Sequence, residues 1–411
     1  MATFKTISSA DIKTTRSNLN QLIDFVEEDV SGSTSRKSYQ VFVTGTTADS
    51  GVTSSLYQTV FDQNFQLQTA NELFDLTVGL FFNSETVTGS QTGTDGNGKL
   101  LFPSESLMMR EKVNIYRQYA QLLLGNAESR FVAPFGSTTA TDNIDEALFI
   151  NFKRLFVRDG IKRETFAMRF FQSASAGAPG EDGESSFGKT NIARGTVSGS
   201  VIFTDVGSAA NIERSNTGGD VGNIVNSSNT AEKVGLLFYQ QGIAVLDLSK
   251  ITSGSQKMSG SISAVGNANG VVEMGRLDGT HGNPHAKFIP DFLVSGSIDE
   301  IIKHIATVRF GSGSQTFLTF QNNTQINSTL VFCRATADEF NFSSNPTYTN
   351  SDGRIKVIDE GVVAGTQKAF SFVTTVGLYD ANEQLLAVAK LSRPVEKNDE
   401  KDLTFRVRLD F

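Results

Sequence analysis

The sequence predicts a mainly β protein built of sandwich- or barrel-like sheets, with a partly helical N-terminal region, α+β overall. Three observations predict it. Short apolar runs with period-two alternation recur at close intervals through the second half of the chain. The composition is neutral and polar: only 19% of residues are charged, while Ser, Thr, Asn, Gln and Gly abound. Aromatic usage is lopsided, with 32 Phe, 7 Tyr and no Trp. Phe is an apolar plug with no polar tip to satisfy, which suits sheet cores and buried subunit interfaces.

The helical expectations come in order along the chain. Ser8 or Ser9 can cap a helix starting near Ala10, and Ile12, Leu19, Leu22, Ile23 and Val26 follow at helical spacing. A weaker helix is expected over about 69–82. Pro103-Ser104-Glu105 reads as a helix start. Its stripe is Met108, Ile115, Tyr119, Leu122 and Leu123, with Gly125 as a left-handed stop. A short helix is expected from Ile298 to Ile305, capped by Ser297.

Strands are expected at 39–43, 165–171 and 196–204. Val234–Tyr239 and Ile243–Leu248 flank Gln240-Gln241-Gly242, which reads as a hairpin turn. Further strands are expected at 316–320, 329–334, 354–359, 370–378, 385–391 and 403–409. Polar, Gly-rich stretches at 86–98, 173–188, 207–230 and 253–270 read as long loops. Loops of that length are usually functional or ordered by a neighbour. Three consecutive regions result: a mixed helical one over 1–160, a β-rich one with long loops over 161–305, and a β-rich one over 306–411.

Charge and cysteine usage narrow the function classes. The formal net charge is -8 and the chain has no Lys/Arg cluster, so a nucleic-acid partner is not expected. No basic amphipathic helix or membrane-length apolar run occurs, so neither is a membrane. The N-terminal residues show no signal-peptide core, and a protein made in the cytoplasm is expected. The single Cys333 sits in the apolar run Leu330–Cys333 and reads as a small buried hydrophobe.

Several motifs bear on chemistry. Gly183-Glu184-Ser185-Ser186-Phe187-Gly188-Lys189-Thr190 satisfies the P-loop pattern, and Ile243–Asp247 mimics a Walker B strand. A phosphate cradle needs a strand leading directly in and a helix leading out. Here a Ser/Ala/Gly/Pro stretch precedes the motif, β alternation follows it, and Glu181, Asp182 and Glu184 place negative charge where phosphates would sit. A nucleotide-dependent assembly factor is thus a lesser alternative. His281 and His285, with Asp278, could ligate a transition metal, but their Gly/Asn/Pro-rich setting reads as a turn. Asp95–Gly98 and Asp352-Gly353 lack the remaining ligands of a calcium loop. No nucleophile elbow occurs, and spacing selects no carboxylate pair. No enzyme and no cofactor are expected.

The most informative segment is the C-terminal one. Val376–Leu391 reads strand, turn, strand, and the chain closes on an alternating strand. There Leu403, Phe405, Val407, Leu409 and Phe411 share one face, while Arg406 and Arg408 lie on the other with Thr404 and Asp410. This strand is the candidate assembly element. It either closes the chain's own sheet, the slightly favoured reading, or pairs with a neighbour.

Gly377-Leu378-Tyr379, the polar turn, Leu385-Leu386-Ala387-Val388, Lys390-Leu391-Ser392, Pro394 and the closing strand resemble the C-termini of virion structural proteins from large contractile-tailed bacteriophages. Glu339–Tyr348 and Phe238–Leu246 resemble companion motifs of that group. The likeness covers the C-terminal part of the chain and little of its N-terminal half. It implies a non-enzymatic tail or baseplate component located in the virion. It also implies other virion structural proteins as partners, in a symmetric homo- or hetero-oligomer. Neck or capsid-decorating proteins, and receptor- or glycan-binding tail proteins, are the alternatives. The absence of Trp weighs against a glycan-stacking platform. No catalytic residue is implied.

Overall fold

A computed structural model describes residues 4–39, 55–88, 107–174, 197–210, 212–252, 264–266, 272–274, 288–311, 314–351, 355–356 and 368–410. The protein is mainly β with few helices. In chain order it forms β1 (Ile12–Val26), α1 (Glu27–Ser31), β2 (Arg36–Ser38), β3 (Gln58–Phe61), β4 (Glu72–Leu80), α2 (Glu85–Thr88) and α3 (Leu107–Leu124). Next come β5 (Phe131–Val132), β6 (Asn143–Ile144), β7 (Glu146–Phe152), α4 (Arg154–Val157), β8 (Gly160–Ile161), β9 (Ala167–Ala174) and β10 (Val197–Thr204). Then follow β11 (Glu213–Ser215), β12 (Gly219–Asn226), β13 (Asn229–Phe238), β14 (Ile243–Asp247), α5 (Leu248–Ile251), β15 (Ala264–Gly266) and β16 (Val272–Met274). The chain ends with α6 (Leu293–Ser295), α7 (Ile298–His304), β17 (Thr316–Ala335), β18 (Phe370–Tyr379), β19 (Leu385–Asn398) and β20 (Leu403–Asp410).

These elements make two compact units. One is Asn20–Thr324; the other joins Met1–Leu19 to Gln325–Phe411. The second is therefore discontinuous in sequence, whereas the sequence reading cut the chain into consecutive segments. Strands β1 and β17 each run through the boundary.

The larger unit is organised by an antiparallel sheet in the order β9-β10-β12-β13-β14-β7-β4-β3-β2, with β17 joined to β9. Strands at its middle are buried on both faces, as the runs in β4, β7 and β14 show. One face receives α3. Gly79 lies beneath it, and a Cβ there would sit 2.9 Å from both the Tyr116 nitrogen and Phe149 Cε2. Tyr119 stacks on Phe149 at 4.1 Å between centroids. Phe25, Phe74, Phe152 and Phe320 form an aromatic cluster in the same core.

Several sequence expectations hold. Helix α3 carries Ile115, Tyr119 and Leu123 towards the core, and Gly125 ends it at φ 82°. Leu122, expected in the same stripe, is exposed. Ser297 caps α7 with a reciprocal capping box to Glu300. Strands β13 and β14 form the expected hairpin, with Gly242 at φ 66°.

Other expectations are overturned. The segment read as a helix from Ala10 to Val26 is β1; only Ser9–Asp11 makes a helical turn, with Ser8 accepting from Ala10 N as a cap. Its Thr14, Thr15, Ser17, Asn18 and Asn20 are poor helix formers, and the ladder to β17 outweighs the apolar spacing. The helix expected over 69–82 is β4, a near-continuous apolar run because both its faces are covered. The loop expected over 207–230 contains β11 and β12, whose Val221, Ile224 and Val225 are buried. The strands expected at 316–320 and 329–334 are one strand, β17. The expectation at 39–43 lies outside the described residues from residue 40 on. At 354–359 only Ile355 and Lys356 are described, and Ile355 bridges Thr349.

A buried lysine ties helix to helix in the larger unit. Lys112 of α3 donates to the carbonyl oxygens of Leu293, Val294 and Gly296 at 2.7, 3.1 and 2.6 Å. Those carbonyls lie at the C-terminal end of α6, where a cation is favoured. Burial pushes the Lys112 ammonium down to about 7.

Candidate assembly surface

The smaller unit contains the candidate assembly strand. β20 pairs antiparallel with β17 over its whole length, from Leu403↔Ala335 to Asp410↔Ser328. The strand thus closes a sheet of its own chain. Its alternation is as the sequence predicted: Val407 is 7% exposed, Leu403, Phe405 and Leu409 are half-buried, and Thr404, Arg406, Arg408 and Asp410 are exposed. Phe411 lies outside the described residues. Val407 packs with Val331 and Leu378, and Leu409 and Cys333 pack against them. Burial pushes the Cys333 thiol up, which disfavours a thiolate nucleophile.

The two arginines of β20 differ. Arg408 is spent within the chain, donating through Nε to Asp410 at 2.8 Å and through Nη2 to Ser328 Oγ at 3.2 Å. Ser328 Oγ also donates to Asp410 at 2.6 Å. The Ser328 hydroxyl and then the Arg408 guanidinium hold the Asp410 carboxyl below its usual range. This triad spans the last rungs of the β20–β17 ladder, where Ser328 faces Asp410. Arg406 pairs with Phe332 in the ladder, and its exposed side chain makes no hydrogen bond or ion pair among the described residues. Of the two, only Arg406 fits the expectation of a side chain available to a neighbour's carboxylate.

Strands β18 and β19 form a separate two-stranded sheet. Its turn is set by Asp380, whose Oδ1 accepts from Asn382 N at 2.9 Å and Gln384 N at 2.7 Å, with Glu383 at φ 62°. The ladder slips between Val373↔Val395 and Thr375↔Lys390. The slip leaves Leu391–Pro394 as a bulge opposite Thr374, which accommodates a proline inside a strand. It also carries β19 past Leu391, where the sequence reading ended it.

One face of this hairpin, with Val376, Leu378, Ala387 and Ala389, packs on Val331, Val407 and Leu409. The opposite face is apolar too, yet open. Phe372 is 55%, Leu386 68% and Val388 53% exposed, and Phe370, Tyr379 and Leu385 are exposed beside them. The Phe4 ring meets Tyr379 edge-on at 4.9 Å. The middle of this face is polar, with Thr375 paired to Lys390.

Ion pairs gather the sequence-distant parts of the unit. Arg334 Nη2 lies 2.7 Å from Asp11. Lys5 pairs with Glu339, and that ammonium, with the Thr336 N–H, holds the Glu339 carboxyl down to about 2. Lys397, wholly buried, donates to the Ala337 and Asn398 carbonyls and to Asn341 Oδ1. Tyr348 Oη donates to the Phe370 carbonyl at 2.8 Å. The motif Glu339–Tyr348 therefore joins the hairpin, whereas Phe238–Leu246 forms the β13–β14 turn in the larger unit.

The other motifs separate in the same way. Asp247, at the end of the Walker-B-like strand, is an N-cap: its buried carboxylate accepts from Ser249 N at 2.9 Å and Ser249 Oγ at 2.5 Å. Gly183–Thr190, His281, His285, Asp95–Gly98 and Asp352-Gly353 lie outside the described residues. Among the described residues no group of His, Cys, Asp or Glu is placed to hold a metal, and no helix is long and apolar enough to cross a membrane. Sequence reasoning located the hairpin but missed its open apolar face. The signal was present in the adjacent apolar pair Leu385-Leu386 and in Val388, which give both faces of one strand apolar residues.

No protein family matches the chain, and no curated protein or solved structure matches it.

Proposed function

We propose that the chain is a non-enzymatic structural component of a bacteriophage particle, of tail or baseplate type. It assembles with other virion structural proteins through the β-rich smaller unit. The observation that carries this reading is the open apolar face of the β18–β19 hairpin, with Phe372, Leu386 and Val388 each more than half exposed. Exposed apolar patches mark interaction sites, and the turn end of this face, with Tyr379, Leu386 and Val388, is one. The same hairpin holds the residues that resemble phage virion C-termini, from Gly377 to Pro394. The reading requires no nucleic acid, membrane, metal or nucleotide.

The experiment is peptide mass spectrometry and immunogold electron microscopy on purified particles of the phage that encodes the chain. The expected result is stoichiometric presence with label on the tail. Particles free of the chain overturn the particle reading, and label confined to the head overturns the tail assignment. Saturable nucleotide binding abolished by Lys189→Ala would instead favour the assembly-factor alternative.

A further inference from the structure

We infer that His304 and Arg309 form an acid-sensitive latch in the larger unit: a proton taken up at His304 Nε2 frees Arg309 and releases the π-helical turn Ile305–Arg309 from β9. The latch is independent of the assembly reading.

The turn follows α7 directly. Residues five apart on a regular α-helix point about 140° away from each other. A π turn bonds each residue to the one five along, which brings Arg309 back over His304. Both are buried, His304 at 1% and Arg309 at 0% exposure. Arg309 Nε and Nη2 lie 3.2 and 3.1 Å from His304 Nε2. Arg309 Nη1 donates to the Phe171 and Gln172 carbonyls of β9 at 3.2 and 2.8 Å. A guanidinium can only donate, so Nε2 is the acceptor and the ring's hydrogen stands on Nδ1. That Nδ1 is buried with no hydrogen-bond partner among the described residues. The Phe288 and Phe292 rings flank the imidazole at 5.5 and 5.8 Å between centroids. His304 is thus neutral in the folded chain, and it holds Arg309 through the one lone pair that a proton would take.

A proton on Nε2 turns the acceptor into a donor and sets a second cation against the guanidinium. Burial, and then the Arg309 charge, hold the imidazole well below its ordinary range. The elements packed on α7 and the turn are β4, β9 and α1. Glu72 and Asp75 of β4 are engaged by Lys153, Arg169 of β9 by Gln315, and Glu28 of α1 by Ser314. Glu27 stands by Arg169 and Asp29 by the Val26 N–H. On α7 itself Asp299 accepts from Ser55, Glu300 accepts from Ser297 N, and Lys303 is exposed. Arg36 of β2 reaches the turn at Thr307 Oγ1. Among the described residues Arg309 is the charge that bears on the ring. A released histidine titrates near about 6.5 and the latched one well below, so the latch is at full strength above that pH and weakens as pH falls beneath it. The element it biases is the π turn, whose alternative is the regular helix.

The test follows amide hydrogen exchange of the full chain at about pH 7.5 and 4.5, corrected for intrinsic rates. Two pH units below the free value, linkage raises opening by up to about a hundredfold. The expected result is a loss of protection of that order at 305–309 and 170–172, with no loss in β7 and β14. His304→Gln, whose carboxamide oxygen accepts from Arg309 and takes up no proton, is expected to keep its protection at both pH values. Unchanged protection at 305–309 in the wild type overturns the inference, as does an equal loss in β7 and β14 or in His304→Gln. Should His304→Gln fail to fold, nitrogen-15 spectra of the wild type decide. The chain has 3 His, and one ring is expected to remain the neutral Nδ1–H tautomer at about pH 5.5 while the others charge. Three rings that all titrate near about 6.5 overturn the latch.

Discussion

Val407 and Arg406 are neighbours on one strand and face opposite ways, so substituting each in turn tests the register of the candidate assembly strand. Val407→Ala removes two methyl groups from a side chain only 7% exposed that packs on Val331 and Leu378. At about 0.8 kcal/mol per buried carbon the transfer loss is roughly 1.6 kcal/mol. The cavity left behind brings the expected cost to about 2 kcal/mol. For a unit of this size each kcal/mol is worth roughly 4–8 °C, so calorimetry on the full chain is expected to show its transition lowered by roughly 8–16 °C. Arg406→Ala, on the exposed face, is expected to stay within about 0.5 kcal/mol of the parent. A Val407→Ala protein that melts like the parent would refute the packing of β20. An Arg406→Ala protein as damaged as Val407→Ala would refute the register, because a one-residue slip exchanges the two faces.

Three further outcomes concern the larger unit. Lys112→Met leaves the carbonyls of Leu293, Val294 and Gly296 without their donor and is expected to cost about 3 kcal/mol in urea unfolding. Glu146 is buried, which pushes its carboxyl up to about 7 despite its bond from Thr86. Between pH 4.5 and 7 the folded chain therefore holds a proton that the unfolded chain has lost, so stability falls as pH rises through this window, by on the order of 3 kcal/mol. Glu146→Gln is expected to flatten that slope, as read by unfolding at several pH values. Gly79→Ala drives a methyl against Tyr116 N and Phe149 Cε2 at 2.9 Å. It is expected to cost about 1–3 kcal/mol in the same assay, with near-ultraviolet dichroism reporting the displaced tyrosines.

Where a structure is written locally, the sequence reveals it. Ser297 and Glu300 stand three apart and make a capping box with no help from the rest of the chain. Gly125 and Gly242 stop a helix and turn a hairpin because only positive φ serves there. The failures are tertiary. Ile12, Leu19, Leu22 and Val26 fall at helical spacing, but the spacing reports no buried face: Ile12, Leu19 and Leu22 are exposed, and only the end of β1, at Phe25, enters the core. In β4 the alternation is hidden because both faces are buried. In β12 the buried Val221, Ile224 and Val225 are masked by Gly219, Asp220, Gly222 and Asn223, which read as loop. For β20 the two faces were legible from the sequence alone. Its partner was not, because Ser328 and Asp410 meet across a sequence separation that no local pattern encodes.

The hairpin itself carries the last step. Val376, Leu378, Ala387 and Ala389 point one way and Tyr379, Leu386 and Val388 the other, so the turn half of the ribbon is apolar on both sides. A sheet with one solvated face alternates apolar and polar residues, and a sheet apolar on both faces belongs between two layers. The smaller unit supplies one of those layers, β17 with β20, through Val331, Val407 and Leu409. Among the described residues that cluster is small, and a small core gains little by itself. The apolar material the unit does hold is displayed instead, on the side away from β17 and β20. The sequence thus encodes a middle layer, and among the described residues of the unit β17 with β20 is the neighbour built for it. The other face, where Phe372, Leu386 and Val388 stand open, is the one through which the chain is proposed to meet its particle partners.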